Sequence, residues 1–168
     1  MTKTLMTLLL FSLVTTCFSQ QKSTWDKWSW LTGMWTGSGS GQPGQIEGVF
    51  NFSPDLDQKI MVRKSHSEYP ASGNKAKVIH DDLMIIYPDY SGDPVKAIYF
   101  DNEGHTINYT ITYADKSIIL TSGKMPNTPV FRLTYIKLEH EMVNTKFEIS
   151  QDGEKFSTYI EGKSKRIN

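Results

Sequence analysis

The stretch HTINYTITY, residues 105–113, alternates without a break: Ile107, Tyr109, Ile111 and Tyr113 against Thr106, Asn108, Thr110 and Thr112. A side-chain period of two belongs to an extended strand with one dry face and one wet face. The pattern recurs. VFRLTYI sets Phe131, Leu133 and Tyr135 against Arg132 and Thr134, and VNTKFEI sets Val143, Thr145, Phe147 and Ile149 against Asn144, Lys146 and Glu148. GQIEGVFNF puts Ile46, Gly48, Phe50 and Phe52 on one face. KFSTYIEGKSKR puts Phe156, Thr158 and Ile160 on one face, and the same parity reaches Arg166. Turn clusters such as YPDYSGDP, DNEG, ADKS and QDGE separate the runs, and the Asp-Gly of QDGE is the strongest hairpin signal. No helical period lies between them, which argues against parallel βαβ units. The expectation is an all-β chain: a single antiparallel up-and-down β-barrel of roughly ten strands.

One helix is expected, ahead of the strands. In STWDKWSWLTG, Ser23 can cap an N-terminus with Asp26 as its capping-box acid, and Trp25, Trp28 and Leu31 share a face. The spacing predicts a short helix over 24–31, closing one end of the barrel, with Gly33 ending it.

The first residues belong to transport rather than to the fold. Lys3 precedes the apolar run LMTLLLFSLV and the small-residue exit TTCFSQ, the layout of a secretory signal peptide over 1–19. The expected barrel domain is 20–168, secreted or periplasmic. A rival reading makes Cys17 the lipidated first residue of a lipoprotein, and only then would the chain meet a membrane. Cys17 is the single cysteine, so removing the leader leaves no disulfide, no thiolate metal site and no cysteine nucleophile. Charges balance at 18 basic and 18 acidic residues, with no basic stripe. Nucleic acid is therefore not an expected partner. The sequence leaves oligomeric state open.

Gly39, Gly41 and Gly44 match G-x-G-x-x-G. A dinucleotide fingerprint needs its last glycine to open a helix that receives the pyrophosphate. Here Gly44 leads into strand-patterned QIEGVFNF, so the glycines are expected to be structural. Gly37, Gly39 and Gly41 alternate and would leave one strand face bare, allowing a sharp bend or a close backbone approach.

LTGMWTGSGSG resembles the opening of the calycin superfamily, the lipocalins, fatty-acid-binding proteins and their relatives. The closer likeness is to nitrobindin-like and lipocalin-like bacterial domains, whose first strand reads G-x-W-x-G-x-G, here Gly33, Trp35, Gly37 and Gly39. The resemblance implies a barrel whose tryptophan plugs the closed end under a basic residue of the last strand, Trp35 under Arg166. It also implies an interior for small apolar molecules, or haem held through a histidine near the C-terminal strands. After His140 this chain has no histidine, so no cofactor is expected.

There is no nucleophile elbow, P-loop or H-E-x-x-H pattern. In HDD, His80 and Asp82 could share a strand face, but no metal site is expected. Tyr109, Tyr113 and Tyr135 read as inward, with His105 at the parity of Tyr109 near one barrel end. Tyrosines suit an amphipathic ligand, each offering an apolar ring and one hydroxyl. They suit a packed core equally. Arg63 could meet an anionic headgroup, although the facing of its strand is ambiguous and a solvated arginine is the favoured reading. The candidate ligand-binding set is His105, Tyr109, Tyr113, Tyr135, Arg63 and His80. The leading expectation is a non-catalytic barrel binding a small, largely apolar or amphipathic molecule. The alternatives are a haem barrel and an enzyme using His105 and a tyrosine as acid and base.

Overall fold

The computed structural model describes residues 25–37, 47–71, 73–74 and 76–167. The strands are β1 (Gly33–Gly37), β2 (Glu47–Asp55), β3 (Ile60–Tyr69), β4 (Val78–Tyr87), β5 (Lys96–Asp101), β6 (Thr106–Ala114), β7 (Ser117–Ser122), β8 (Val130–Lys137), β9 (Met142–Ser150) and β10 (Ser157–Ile167). Each pairs antiparallel with its sequence neighbours, and β1 pairs with β10, so the sheet closes as a ten-stranded up-and-down barrel. Closure removes every sheet edge.

Register carries the inward face from strand to strand. One row joins Trp35, Phe50, Ser65, Asp82 and Asp101. The next joins Phe52, Arg63, Met84, Tyr99 and Ile107. This settles β3: Met61 and Arg63 face in. The expected solvated arginine is instead a buried one, 8% exposed.

The α-helix expected over 24–31 is not present. Among the described residues, 25–28 form a turn and Ser29–Leu31 a 3-10 helix. Trp28 N–H donates to the Trp25 carbonyl and Leu31 N–H to the Trp28 carbonyl, both at 2.8 Å. With three residues per turn, side chains three apart eclipse. Trp25, Trp28 and Leu31 therefore line up on one edge, and all three are buried. An α-turn would rotate them away from one another by about 60° at each step. The Ser23 cap lies outside the described residues.

This plug is anchored at several points. The Trp25 indole donates to the Gln58 carbonyl at 2.6 Å, that of Trp28 to the Tyr113 hydroxyl at 2.8 Å, and that of Trp35 to the Leu31 carbonyl at 2.8 Å. Trp35 and Arg166 are cross-strand partners, and the guanidinium lies 4.4 Å from the Trp35 ring centroid. The guanidinium also donates to the carbonyls of Thr32 and Trp30 and meets the Glu141 carboxylate at 3.4 Å.

Two of the glycines have a mechanical reason. Gly33 sits at φ +106°, and a Cβ there would meet an Arg166 guanidinium nitrogen at 2.8 Å. A Cβ at Gly37 would meet the Ser164 hydroxyl at 2.7 Å and the Lys163 carbonyl at 3.2 Å. Both leave room for β10 against β1. Gly39, Gly41 and Gly44 lie outside the described residues, and from Glu47 the chain is strand.

One other expectation changes. A bulge between Thr158 and Ile160 shifts the register of β10 on β9. Thr158 consequently pairs with outward-facing Glu148, and Phe156 lies under the Arg132 guanidinium, 3.8 Å away, on the outer wall. The inward parity that reaches Arg166 begins only at Ile160. QDGE, the expected hairpin, joins antiparallel β9 and β10 within the loop between Ser150 and Ser157. In it Asp152 accepts from its own neighbours, the backbone N–H groups of Glu154 and Lys155, each at 2.8 Å. These hydrogen bonds hold its pKa down at about 2. A side chain that caps successive backbone donors favours a wider turn over a tight one.

The closing contact predicts unequal and coupled losses. Trp35→Ala should cost about 3–5 kcal/mol, as for other buried tryptophans. Losing the cation–π contact in Arg166→Ala should cost about 0.5–2 kcal/mol, with an added loss from the two carbonyls left behind. Urea denaturation of both single variants and the double variant should show a non-additive coupling.

Candidate functional site

The inward face divides into two halves. Towards the plug it is dry: Trp28, Leu31, Phe52, Met61, Ile86 and Val143 are buried. Towards the opposite end, which we call the mouth, inward residues such as Tyr69, His80, Tyr99, Ile107, Phe131 and Phe147 are only half-buried. Solvent reaches this half of the interior. Phe131 and Phe147 stack there with ring centroids 5.9 Å apart.

Polar groups collect where the two halves meet. Arg63 donates to the Asp82 carboxylate, and both side chains are more than nine-tenths buried. Burial is the largest influence and works against the charged guanidinium, but Asp82 together with Tyr135, Tyr99 and Tyr109 outweighs it and holds the Arg63 pKa above its ordinary value. The same guanidinium lies 5.4 Å from the Phe50 ring centroid. Burial pushes the hydroxyl pKa values of Tyr99 and Tyr109 well up, and that of Tyr135 to about 12. All three phenols stay neutral donors near neutral pH.

Nearer the rim, Asp82 has Asp101 as its cross-strand partner. His80 Nε2 is 3.1 Å from the Tyr99 hydroxyl, which in turn donates to Asp101 at 3.3 Å. The other His80 nitrogen faces Glu103 at 3.2 Å. Asp101 also meets the His105 ring at 2.9 Å and accepts from the backbone N–H groups of Glu103 and His105. Burial raises the Asp101 pKa, but the His105 and Glu103 hydrogen bonds overcome it, leaving the value below the ordinary 3.8.

Among the described residues, three buried side-chain atoms in this interior have no hydrogen-bond partner: Arg63 Nε, the Tyr135 hydroxyl and the Thr145 hydroxyl. Tyr135 and Thr145 are cross-strand partners, and Arg63 and Tyr135 both approach the Phe50 ring, its centroid 5.4 Å from the guanidinium and 6.3 Å from the Tyr135 ring centroid. An unsatisfied buried polar group costs about 1–3 kcal/mol. Three together are a standing cost unless something else in the interior completes them.

Of the six ligand-binding candidates, four converge. Arg63, Tyr109 and Tyr135 form the inner polar group, and His80 stands over it towards the mouth. His105 is on the rim, its side chain 63% exposed. Tyr113 belongs to the plug. Its hydroxyl accepts from Trp28 and donates to the Pro94 carbonyl, and the Lys27 ammonium lies 4.3 Å from its ring centroid. Trp35 and Arg166 stand together in the closure, as described. Sequence reasoning missed Asp82 as the partner of Arg63, and it missed Tyr99, Asp101 and Thr145. Thr145 carried an inward parity in the alternation, and Asp82 shared a face with His80. Their meeting across strands depends on register.

Among the described residues, no group of three or more His, Cys, Asp or Glu side chains is placed to hold a metal. Haem through a histidine near the C-terminal strands does not fit this chain. β9 and β10 contain none, and His140 is exposed in the turn before β9, at the plug end, with φ +56°. A concavity of about 620 Å³ also exists, against the outward row of Met34, Lys64, Leu83 and Phe100. Asp82 and Asp101 of the inward row also line it, so it adjoins the polar cluster of the interior across β4 and β5.

Fold and site together define a class: a closed ten-stranded antiparallel barrel, plugged at one end, with a polar cluster inside. Neither a family model nor a curated protein matches the chain. Among solved structures it is similar to the crystal structure of Rv2717c from M. tuberculosis, with a TM-score of 0.56 at 11% identity, covering 86% of this chain and 98% of that one. At that identity the likeness is one of fold.

Two outcomes are expected. Removing an orphaned hydroxyl should help the unliganded protein, so Tyr135→Phe should raise its stability by about 1 kcal/mol in urea denaturation. Asp101 has a folded pKa below its unfolded one. Its contribution is thus complete above about pH 4 and lost as pH falls through the folded value. Asp101→Asn should lower the urea midpoint at neutral pH and flatten its decline between neutral pH and about pH 3.

Proposed function

We propose that this chain is an exported calycin-type barrel that binds a small, largely apolar or amphipathic molecule in the mouth half of its interior. The observation that carries this reading is the set of three orphaned buried atoms, Arg63 Nε and the hydroxyls of Tyr135 and Thr145. Native interiors leave few such groups unpaired. A ligand with a polar end would complete them, and an apolar body would lie along Ile107, Phe131 and Phe147 towards the mouth. Such a site, apolar with a few convergent polar groups, is the usual form of a small-molecule pocket. The role proposed is that of a carrier or sensor. His80 is engaged by Glu103 and the Tyr99 phenol and His105 by Asp101, and that arrangement offers positioning rather than a free acid–base pair. The signal-like leader supports export to the periplasm or the exterior, with the membrane involved only if Cys17 is lipidated.

Mass spectrometry of organic extracts should find a co-purifying molecule with an apolar body in protein taken from its native host. Tyr135→Phe should retain that molecule about tenfold more weakly, a loss equal to one hydrogen bond to a buried group. Protein that yields no such molecule and displaces no fluorescent apolar probe would overturn the reading. Titration with haemin provides a separate check. A stoichiometric Soret shift, lost in one His→Ala variant, would restore the haem alternative.

A further inference from the structure

Arg63 invites comparison with an anion clamp, but its surroundings are wrong for one. The guanidinium is already neutralised by Asp82, and that carboxylate is itself 6% exposed. Asp101, 4% exposed, stands beside Asp82 on the adjoining strand, and Glu103 follows at the rim. A ligand entering from the mouth therefore passes carboxylates before it reaches Arg63. Open on Arg63 are the buried Nε–H and the N–H groups that Asp82 does not take, beside two hydroxyls that can each donate or accept. The cluster offers hydrogen bonds without a surplus positive charge. Putting an anion there would add a charge to a desolvated pair that is already balanced, with a second buried carboxylate beside it. Like charges at such range in a dry site are strongly repulsive. A cation would gain from Asp101 but would leave Arg63 Nε without an acceptor.

We propose that the interior selects an uncharged ligand whose polar end is a carbonyl group, such as an amide, ester or ketone, and that it rejects the corresponding carboxylate. The carbonyl oxygen accepts from Arg63 Nε and from the Tyr135 or Thr145 hydroxyl, and the Arg63–Asp82 pair stays intact. Arg63 then serves as a neutralised donor, and Asp82 as the residue that sets charge specificity. This inference rests on the binding reading above and deepens it.

The test compares matched probes on the wild-type protein at about pH 8, where a carboxylic acid is ionised. Straight-chain primary amides from hexanamide to dodecanamide, and the carboxylates of the same lengths, are titrated by calorimetry or by displacement of a fluorescent probe. At the best chain length the amide should bind about tenfold tighter or more. Asp82→Asn, which leaves the guanidinium unneutralised, should move the preference towards the carboxylate. If that variant does not fold, the wild-type comparison decides alone. A carboxylate that binds the wild-type protein as tightly as its amide, or more tightly, overturns this inference and leaves the binding reading standing. Failure of every amide and carboxylate to bind or to displace the probe overturns both.

Discussion

The contact on which the rest of the barrel depends is that between Arg166 and the β1 end of the plug. A closed barrel must join its first strand to its last, and among the described residues that seam pairs 34–37 with 164–167. Side chains reinforce its ladder hydrogen bonds. Arg166 covers the face of Trp35 and donates to the Trp30 and Thr32 carbonyls. One planar group thus ties β10, β1 and the 3-10 turn together, which a lysine's point charge would not do. Gly33 and Gly37 leave the space this requires.

From that closure the two halves of the interior follow. Trp28, packed on Phe52 and Tyr113, fills one end completely. The aromatic run continues through Phe50 and Tyr135, with centroids 5.9 Å apart between Phe50 and Phe52 and 5.3 Å between Phe52 and Tyr135. Packing stops there. Towards the mouth the inward positions of β3–β5 turn polar, with Ser65, Asp82 and Asp101, while those of β8 and β9 stay apolar, and among the described residues three buried atoms lack partners. A chain selected only for stability would place hydrocarbon at Arg63 and Asp82, because a buried ion pair is often no better than a well-packed apolar one. Its presence, with orphaned hydroxyls beside it, is a local departure from apolar packing that the proposed binding role accounts for.

The outer wall shows how the same chemistry behaves without that demand. Glu148 is buried against Arg132 at 2.7 Å and Lys146 at 2.9 Å, and Arg132 also covers Phe156. The Arg132 hydrogen bond leads in lowering the Glu148 pKa against its burial. That cluster braces the bulged part of β10, where one extra residue interrupts the ladder. Unlike the interior group, its Arg132 and Glu148 atoms are partnered.

Period-two alternation was enough to read an all-β barrel, and it placed Tyr109, Leu133 and Tyr135 on the inner face, since a strand's two faces differ in solvent and each run records that difference locally. The family resemblance paired Arg166 with Trp35, and the parity of β10 agrees from Ile160 onward, past the bulge. What local pattern could not carry was decided by tertiary structure. The winding of residues 25–31 depends on where three indoles and a leucine find anchors, so it became a 3-10 turn in place of a helix. The facing of β3 was ambiguous because hydrophobic residues occupy both parities at 60–62, and only pairing with Phe52 and Met84 turned Arg63 inward. Asp82, Tyr99, Asp101 and Thr145 reach the site from three separate strand neighbourhoods. Their proximity is a property of register around a closed sheet, and a one-residue slip in any strand would send its member to the other wall.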